Sequence, residues 1–350
     1  MSKQDTPLVA PQATKVVRDS GRSEPARRAS VVAWVCLLIV WVVWGSTYLA
    51  LKVGVETMPP LLMAAVRNLV AGAIMFPAAV FSSRRRGASR RRLPSSPVPR
   101  SSVQAAPRPS GSFRWPSRTE WIGCATVGIL LLVANGAVGI GEQTVPSGLA
   151  ALLVATVPLW LLGIDAMLNH ARLGLAPLAG LALGLVGVGL LSGLGGGGSR
   201  PVSAVGVIII LVAAFTWALG TIMTRRVTIP SSPALASGME LLCGGVALLA
   251  LSAATGEFGS LHLAQVSSRS WLALGYLIVV GSIIAFSAYG IAVRALPTPI
   301  VATYAYVNPV IAVLLGTLIL NERLTPAMLG GGVLVVGAVV LVVRRSPPAH

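Results

Sequence analysis

The chain has 350 residues, of which 55% are apolar and only 11% charged; its formal net charge is +17 and its mean hydropathy +0.81. Soluble domains carry about 25% charged residues, so an ordinary soluble enzyme is excluded. The three cysteines (Cys36, Cys124, Cys243) sit in apolar runs and make no disulfide or CxxC pattern, and three histidines (His170, His262, His350) rule out a histidine-rich metal site.

Residues 1–30 form a polar, basic tail, expected to be disordered. No small-residue cleavage site closes the long apolar run after it, so the tail is not read as a signal peptide. Ten apolar runs follow, each near the roughly 20 residues a bilayer-spanning helix needs: Val31–Val53, Leu61–Phe81, Trp121–Gly141, Pro146–Leu168, Gly174–Leu194, Val202–Met223, Pro233–Ala253, Trp271–Val293, Pro299–Leu320 and Pro326–Val343. They are continuously apolar, whereas barrel strands alternate. The expected fold class is therefore an all-α polytopic membrane protein of ten transmembrane helices. Between the second and third spans, residues 82–118 are rich in Ser, Pro and Arg and are expected to be a disordered cytoplasmic insertion. Residues 344–350 are a short tail.

Lys and Arg fix the expected orientation. With the N-terminus in the cytoplasm, 22 of the 27 fall in cytoplasmic segments and four (Lys52, Arg200, Arg269, Arg323) on the other side. Both termini are then cytoplasmic. The same bias accounts for the basic charge, so the arginine runs Arg84–Arg86 and Arg90–Arg92 read as membrane-flanking loops, with attraction to lipid headgroups, and not as a nucleic-acid site.

The chain repeats itself. Trp44 and Trp217, Lys52 and Arg225, Pro60 and Pro233, and Arg67 and Glu240 are all 173 residues apart; Pro146 and Pro297, Pro158 and Pro309, and Gly180 and Gly331 are 151 apart. The offset changes where the basic loop interrupts the first half. Residues 31–194 and 195–343 thus read as two five-helix repeats. Five is odd, so the second is inverted relative to the first around a central cavity, a plan that recurs in secondary transporters.

Trp44-Gly45-Ser46-Thr47-Tyr48, the Pro158 and Pro309 segments, and Asn321-Glu322-Arg323-Leu324 resemble the motifs of the EamA-domain family in the drug/metabolite transporter superfamily. Val145–Gly148 and Ala305–Val310 resemble its YedA-type bacterial inner-membrane exporters. The resemblance implies a ten-helix basket that exports small metabolites or drugs, coupled to ions or driven by the substrate gradient. Two departures are the long insertion and Ala171, which stands where symmetry with Glu322 would place an acid. Glu322 accordingly reads as a helix N-terminal group.

Ionisable residues inside spans are costly and face cavities or partners. Arg67 and Glu240 each lie seven residues into their spans, about 10 Å from opposite ends. They are expected to face one cavity and to pair, directly or through water, either as a working couple or as a static tie. Glu142 beside Gln143 reads as an outer gate or as a solvated helix end. Asp165 reads as a local ion-pair partner of His170 and Arg172. Mid-span Trp44 and Trp217 depart from the usual interfacial place of tryptophan, and Pro158 and Pro309 free backbone carbonyls near a cavity.

The expected substrate-binding residues are Trp44, Ser46, Tyr48, Arg67, Trp217, Thr221, Glu240, Tyr304, Tyr306 and Asn308, with Asn68 and Asn135 weaker. The expected coupling or gating residues are Glu240, Arg67, Glu142, Pro158 and Pro309. An aromatic cavity with one acid suits an apolar or aromatic substrate carrying an amine; packing against lipid or neighbours is the alternative for each ring. The glycine-rich fifth and tenth spans read as scaffold or homodimer faces. No HExxH, GxSxG or P-loop occurs, so neither an enzyme nor ATP-driven transport is expected. The reading is a secondary-active exporter of amino acids, amines or amphipathic aromatic compounds at the bacterial inner membrane, with protons as candidate coupling ion. It implies no cofactor, metal or nucleic acid. A scramblase or sensor is the rival.

Overall fold

The computed structural model describes residues 24–91, 114–168, 203–296, 298–301, 303–321 and 326–345, with isolated positions between 179 and 187. Among these residues the chain is all helical. The main helices are α1 (Glu24–Gly54), α2 (Pro60–Arg91), α3 (Arg118–Glu142), the half-helices α4 (Ser147–Val154) and α5 (Val157–Leu168), α6 (Ala204–Met223), α7 (Pro233–Ala254), α8 (Ser268–Ala295), α9 (Tyr304–Leu320) and α10 (Pro326–Arg345). Seven segments are long and apolar enough to cross a membrane, and the apolar stretch Val307–Leu320 of α9 is shorter. The expected fifth span, Gly174–Leu194, with its GxxxG pair, and the Asp165 side chain, His170 and Arg172 lie outside what is described.

Local chemistry sets most boundaries. Pro60 and Pro233 open α2 and α7, where a missing N–H costs no helical bond. Ser117 and Glu120 form a capping box at α3, reinforced by the 2.9 Å Arg114–Glu120 ion pair. Asn321 ends α9 with φ 53°, the left-handed stop that asparagine tolerates.

Three expectations need correction. The fourth span is broken at Ala155-Thr156, because Pro158 has no N–H for the Val154 carbonyl and crowds it. Helix α2 runs ten residues past Phe81 into the expected loop, and α1 begins at Glu24, inside the expected tail. Both extensions are rich in Arg and contain Ala, which favour helix.

Helices α2 and α7 pack face to face along the middle of the molecule, and α3 lies against both. Around them α1 packs on α8 and α9, while α6 packs on α3 and on α4–α5. Close approach depends on glycine. A Cβ on Gly72 would lie 2.9 Å from Leu242 Cγ, and one on Gly245 would lie 2.9 Å from Leu69 Cγ. Gly128 sits directly under the Glu240 carbonyl. Small residues let helices meet this way in lipid, where water drives nothing together. The core between α2, α3 and α7 holds Leu61, Ala65, Val127, Leu131, Leu241 and Leu248. Apolar side chains also point outward, such as Val31, Val35, Leu38 and Val42 on α1. A water-facing helix would not present that stripe, but a lipid-facing one does.

Candidate functional site: a central cavity around Arg67

A cavity of about 800 Å³, counting its open mouth, lies between α1, α2, α3, α6, α8 and α9. Trp44, Thr47, Tyr48 and Leu51 enter from α1, Arg67 and Asn68 from α2, and Asn135 from α3. Trp217 comes from α6, Gly281, Ser282 and Phe286 from α8, and Tyr304 and Asn308 from α9.

Arg67 is buried and, among the described residues, is the one charged residue lining this cavity. Its Nε donates to Ser282 Oγ at 2.7 Å and its Nη1 to Asn135 Oδ1 at 3.1 Å. The middle of α8, Leu277–Phe286, is π-helical. Its wider turn brings Gly281 and Ser282 to face Arg67, and π-helical turns recur at functional sites. A Cβ on Gly281 would stand 3.1 Å from Arg67 Nη2, so glycine leaves the guanidinium its space.

Aromatic rings close one side. Trp44 meets Trp217 edge to face at 5.6 Å, Tyr304 at 5.2 Å and Tyr289 at 4.8 Å; Tyr289 lies 6.2 Å from Tyr304 and 6.4 Å from Phe286. These separations suit favourable ring pairs. Behind the rings lie two smaller pockets. One has Pro158, Thr221, Arg225 and Tyr289 in its wall, and the other has Thr221, Ser237, Glu240, Tyr289 and Arg294. Tyr304 borders the cavity and the first of these, and Phe286 borders the cavity and the second. The ring cluster is thus their common wall.

The expected Arg67–Glu240 pair does not form. Arg67 engages neutral Ser282 and Asn135, while buried Glu240 sits beyond the rings in a pocket that Arg294 also lines. Helix α3 lies against both α2 and α7 and supplies the amide that takes Arg67. Arg294 in turn donates to the carbonyls of Pro230 and Ser231.

A family model describing EamA-like transporters matches residues 32–96 and 204–344. The chain belongs to the EamA-like transporter family. It is similar to the uncharacterized inner membrane transporter YedA of Escherichia coli (strain K12), 36% identical over 292 residues that make up 83% of each protein. It is also similar to a probable amino-acid metabolite efflux pump of Salmonella typhimurium (strain LT2), 27% identical over 306 residues, 85% of this chain and 90% of that one. A solved crystal structure, 20% identical, aligns over 90% of this chain and 96% of its own with a TM-score of 0.55, a likeness of fold.

Six of the ten main expected binding residues meet in this EamA chain's cavity, Trp44, Tyr48, Arg67, Trp217, Tyr304 and Asn308, together with the weaker candidates Asn68 and Asn135. With its amide nitrogen facing them, Asn308 donates to the carbonyls of Tyr304 and Trp41 at 3.1 and 3.0 Å, tying α9 to α1 next to Pro309. The others lie elsewhere. Ser46 donates to the Val43 carbonyl and accepts from Tyr276, joining α1 to α8. Thr221 and Glu240 face the pocket behind the rings, and Pro158 lines the one beside it. The Tyr306 side chain lies outside what is described. Glu142 is not a solvated helix end: it is fully buried, and Lys52 Nζ donates to its backbone carbonyl and to that of Val145. The sequence reading missed Thr47, Gly281, Ser282, Phe286 and Tyr289. Ser282, a polar residue inside the apolar run Leu277–Phe286, was the available signal; Gly281 and the rings of α8 look like ordinary span residues.

Proposed function

We propose that this protein is a secondary-active transporter that exports small metabolites or drugs across a bacterial inner membrane by alternating access. Its cargo class is amino acids, amines or amphipathic aromatic compounds. The observation that carries the reading is the cavity, drawn from α1–α3 on one side and α6, α8 and α9 on the other, and shut at one side by the ring cluster. A cavity open on one side and closed by repacking side chains is what alternating access needs.

The inverted-repeat plan is part of this reading. The helix pairings support it, since α1 with α8 and α9 answers α6 with α3 and α4–α5, and α2 with α7 lies on the axis that would relate them. The names of the relatives, an inner membrane transporter and a probable amino-acid metabolite efflux pump, support both the place and the cargo. Cytoplasmic termini follow from the Lys and Arg distribution. Glu240, buried and facing a pocket behind the rings, is our candidate proton-coupling residue.

The test is uptake into proteoliposomes from a mixed pool of amino acids, amines and cationic dyes, read by mass spectrometry under an imposed pH gradient. Saturable, gradient-dependent uptake by the wild type is expected, with the gradient dependence lost in Glu240→Gln. Equal gradient dependence in the variant would remove Glu240 from coupling. No uptake by folded protein from any part of the pool would overturn the transport reading.

A further inference from the structure

We infer that the Arg67 cavity binds the carboxylate of a small aromatic or apolar substrate. This narrows the transport reading above and rests on it. Arg67 is only 6% exposed, and arginine keeps its charge when buried. Both of its hydrogen-bond acceptors among the described residues, Ser282 Oγ and Asn135 Oδ1, are neutral, and among the described residues neither Asp nor Glu lines the cavity. A buried charge without a counter-charge is costly unless a partner arrives. The neighbouring Asn68 amide nitrogen is 1% exposed as a residue, lines the same cavity and has no hydrogen-bond partner. Both the guanidinium and this amide nitrogen are donors.

A carboxylate only accepts hydrogen bonds, and an ammonium only donates them. The first matches a guanidinium and an amide N–H, with the forked geometry arginine offers to two oxygens; the second meets like charge beside Arg67. Gly281 keeps the approach to Nη2 clear, and Trp44, Trp217 and Phe286 provide apolar walls for the body of the molecule. The expected amine-bearing substrate depended on an acid in this cavity, and Glu240 lies behind the rings instead. An amine on the substrate is tolerated only where it points away from Arg67.

The test is equilibrium binding to the full chain in lipid nanodiscs, by calorimetry, with three probes on one frame: indole-3-propionate, its primary amide and tryptamine. The expected result is that the propionate binds at least about ten-fold tighter than the amide, the ratio one charge-assisted pair supplies, and that tryptamine binds weakest. Arg67→Gln should bind the amide as the wild type does and lose the preference, and Arg67→Lys should keep part of it. Equal affinities, preference for tryptamine, binding of none of the three, or a carboxylate preference surviving in Arg67→Gln each overturn the proposal. If Arg67→Gln does not fold, the wild-type ranking alone decides. Counterflow of the amide or tryptamine in proteoliposomes separates the two readings: if it occurs without a carboxylate preference, the transporter stands and the subsite falls.

Discussion

Gly72 of α2 and Leu242 of α7 pack so closely that a Cβ on the glycine would lie 2.9 Å from the leucine Cγ and 3.0 Å from its backbone nitrogen. Gly245 meets Leu69 at the same two distances with the helices exchanged. Each residue lies 173 positions from its counterpart, the spacing that also separates Arg67 from Glu240. A reciprocal contact of this kind is what a two-fold relation between two halves produces at its axis.

Substituting valine at either glycine should therefore harm the protein to a similar degree. Overpacking a tight contact costs about 1–3 kcal/mol, and here backbone lies behind the side chain, so relaxation is limited. Thermal unfolding in detergent should show both Gly72→Val and Gly245→Val melting below the wild type by comparable amounts. Leu242→Ala should recover part of the loss in Gly72→Val but none in Gly245→Val. Unequal losses would argue against the symmetric axis.

Tyr289 stands at the centre of the wall between the cavity and the pocket holding Glu240, in ring contact with Trp44, Trp217, Phe286 and Tyr304. Removing its ring should join the two spaces. We expect Tyr289→Ala liposomes to leak a preloaded small aromatic dye without any imposed gradient, while Tyr289→Phe stays tight. A tight Tyr289→Ala would mean that the remaining rings, not Tyr289, hold the barrier.

Glu257, in the turn after α7, caps a different helix. Its carboxylate accepts from the backbone N–H groups of Leu61 and Leu62 at 3.2 and 2.7 Å and from Ser252 Oγ at 2.9 Å. These are orphan donors of the first turn of α2. Loss of such a cap costs about 0.5–2 kcal/mol. Glu257→Ala should lower the melting temperature and speed amide exchange in the first turn of α2, leaving the first turn of α7 unchanged. Equal protection of both turns in the variant would dismiss the cap.

Gly281 gives the Arg67 guanidinium its room. Valine there should displace Arg67 from Ser282 and abolish substrate binding in protein that still folds, since α8 presents this residue to the cavity and not to the α2–α7 contact. Calorimetric binding alongside the melting temperature checks this; full affinity in a stable Gly281→Val would show that Nη2 does not need the space.

Much of the architecture is written in hydropathy, because lipid demands about twenty apolar residues per crossing whatever the helix packs against. Among the described residues, eight of the ten expected spans overlap helices, the first two of which run well past the expected bounds, and a ninth, Pro146–Leu168, appears as the two half-helices α4 and α5. Trp44 and Trp217, read as equivalent mid-span positions, meet edge to face in the wall of one cavity. Local breakers were legible as well, although Pro158 breaks its helix while Pro309 sits inside an unbroken one. The carbonyl that Pro309 leaves without its helical N–H is that of Ala305, while the Asn308 side-chain amide ties α9 to α1 through the Tyr304 and Trp41 carbonyls.

Sequence alone thus determined the membrane class and the family. Only the tertiary structure decided which polar groups share a space. Arg67 and Glu240 have matching positions in matching spans, yet α3, seated on glycine contacts, brings Asn135 to Arg67, and the rings of α1, α6, α8 and α9 close off Glu240. Hydropathy records how much of a helix meets lipid. It does not record the rotation of that helix about its axis, and a single residue shifts the direction a side chain faces by about 100°. That rotation is set by glycine-to-side-chain packing and by the π-helical turn of α8, both of them contacts between distant parts of the chain.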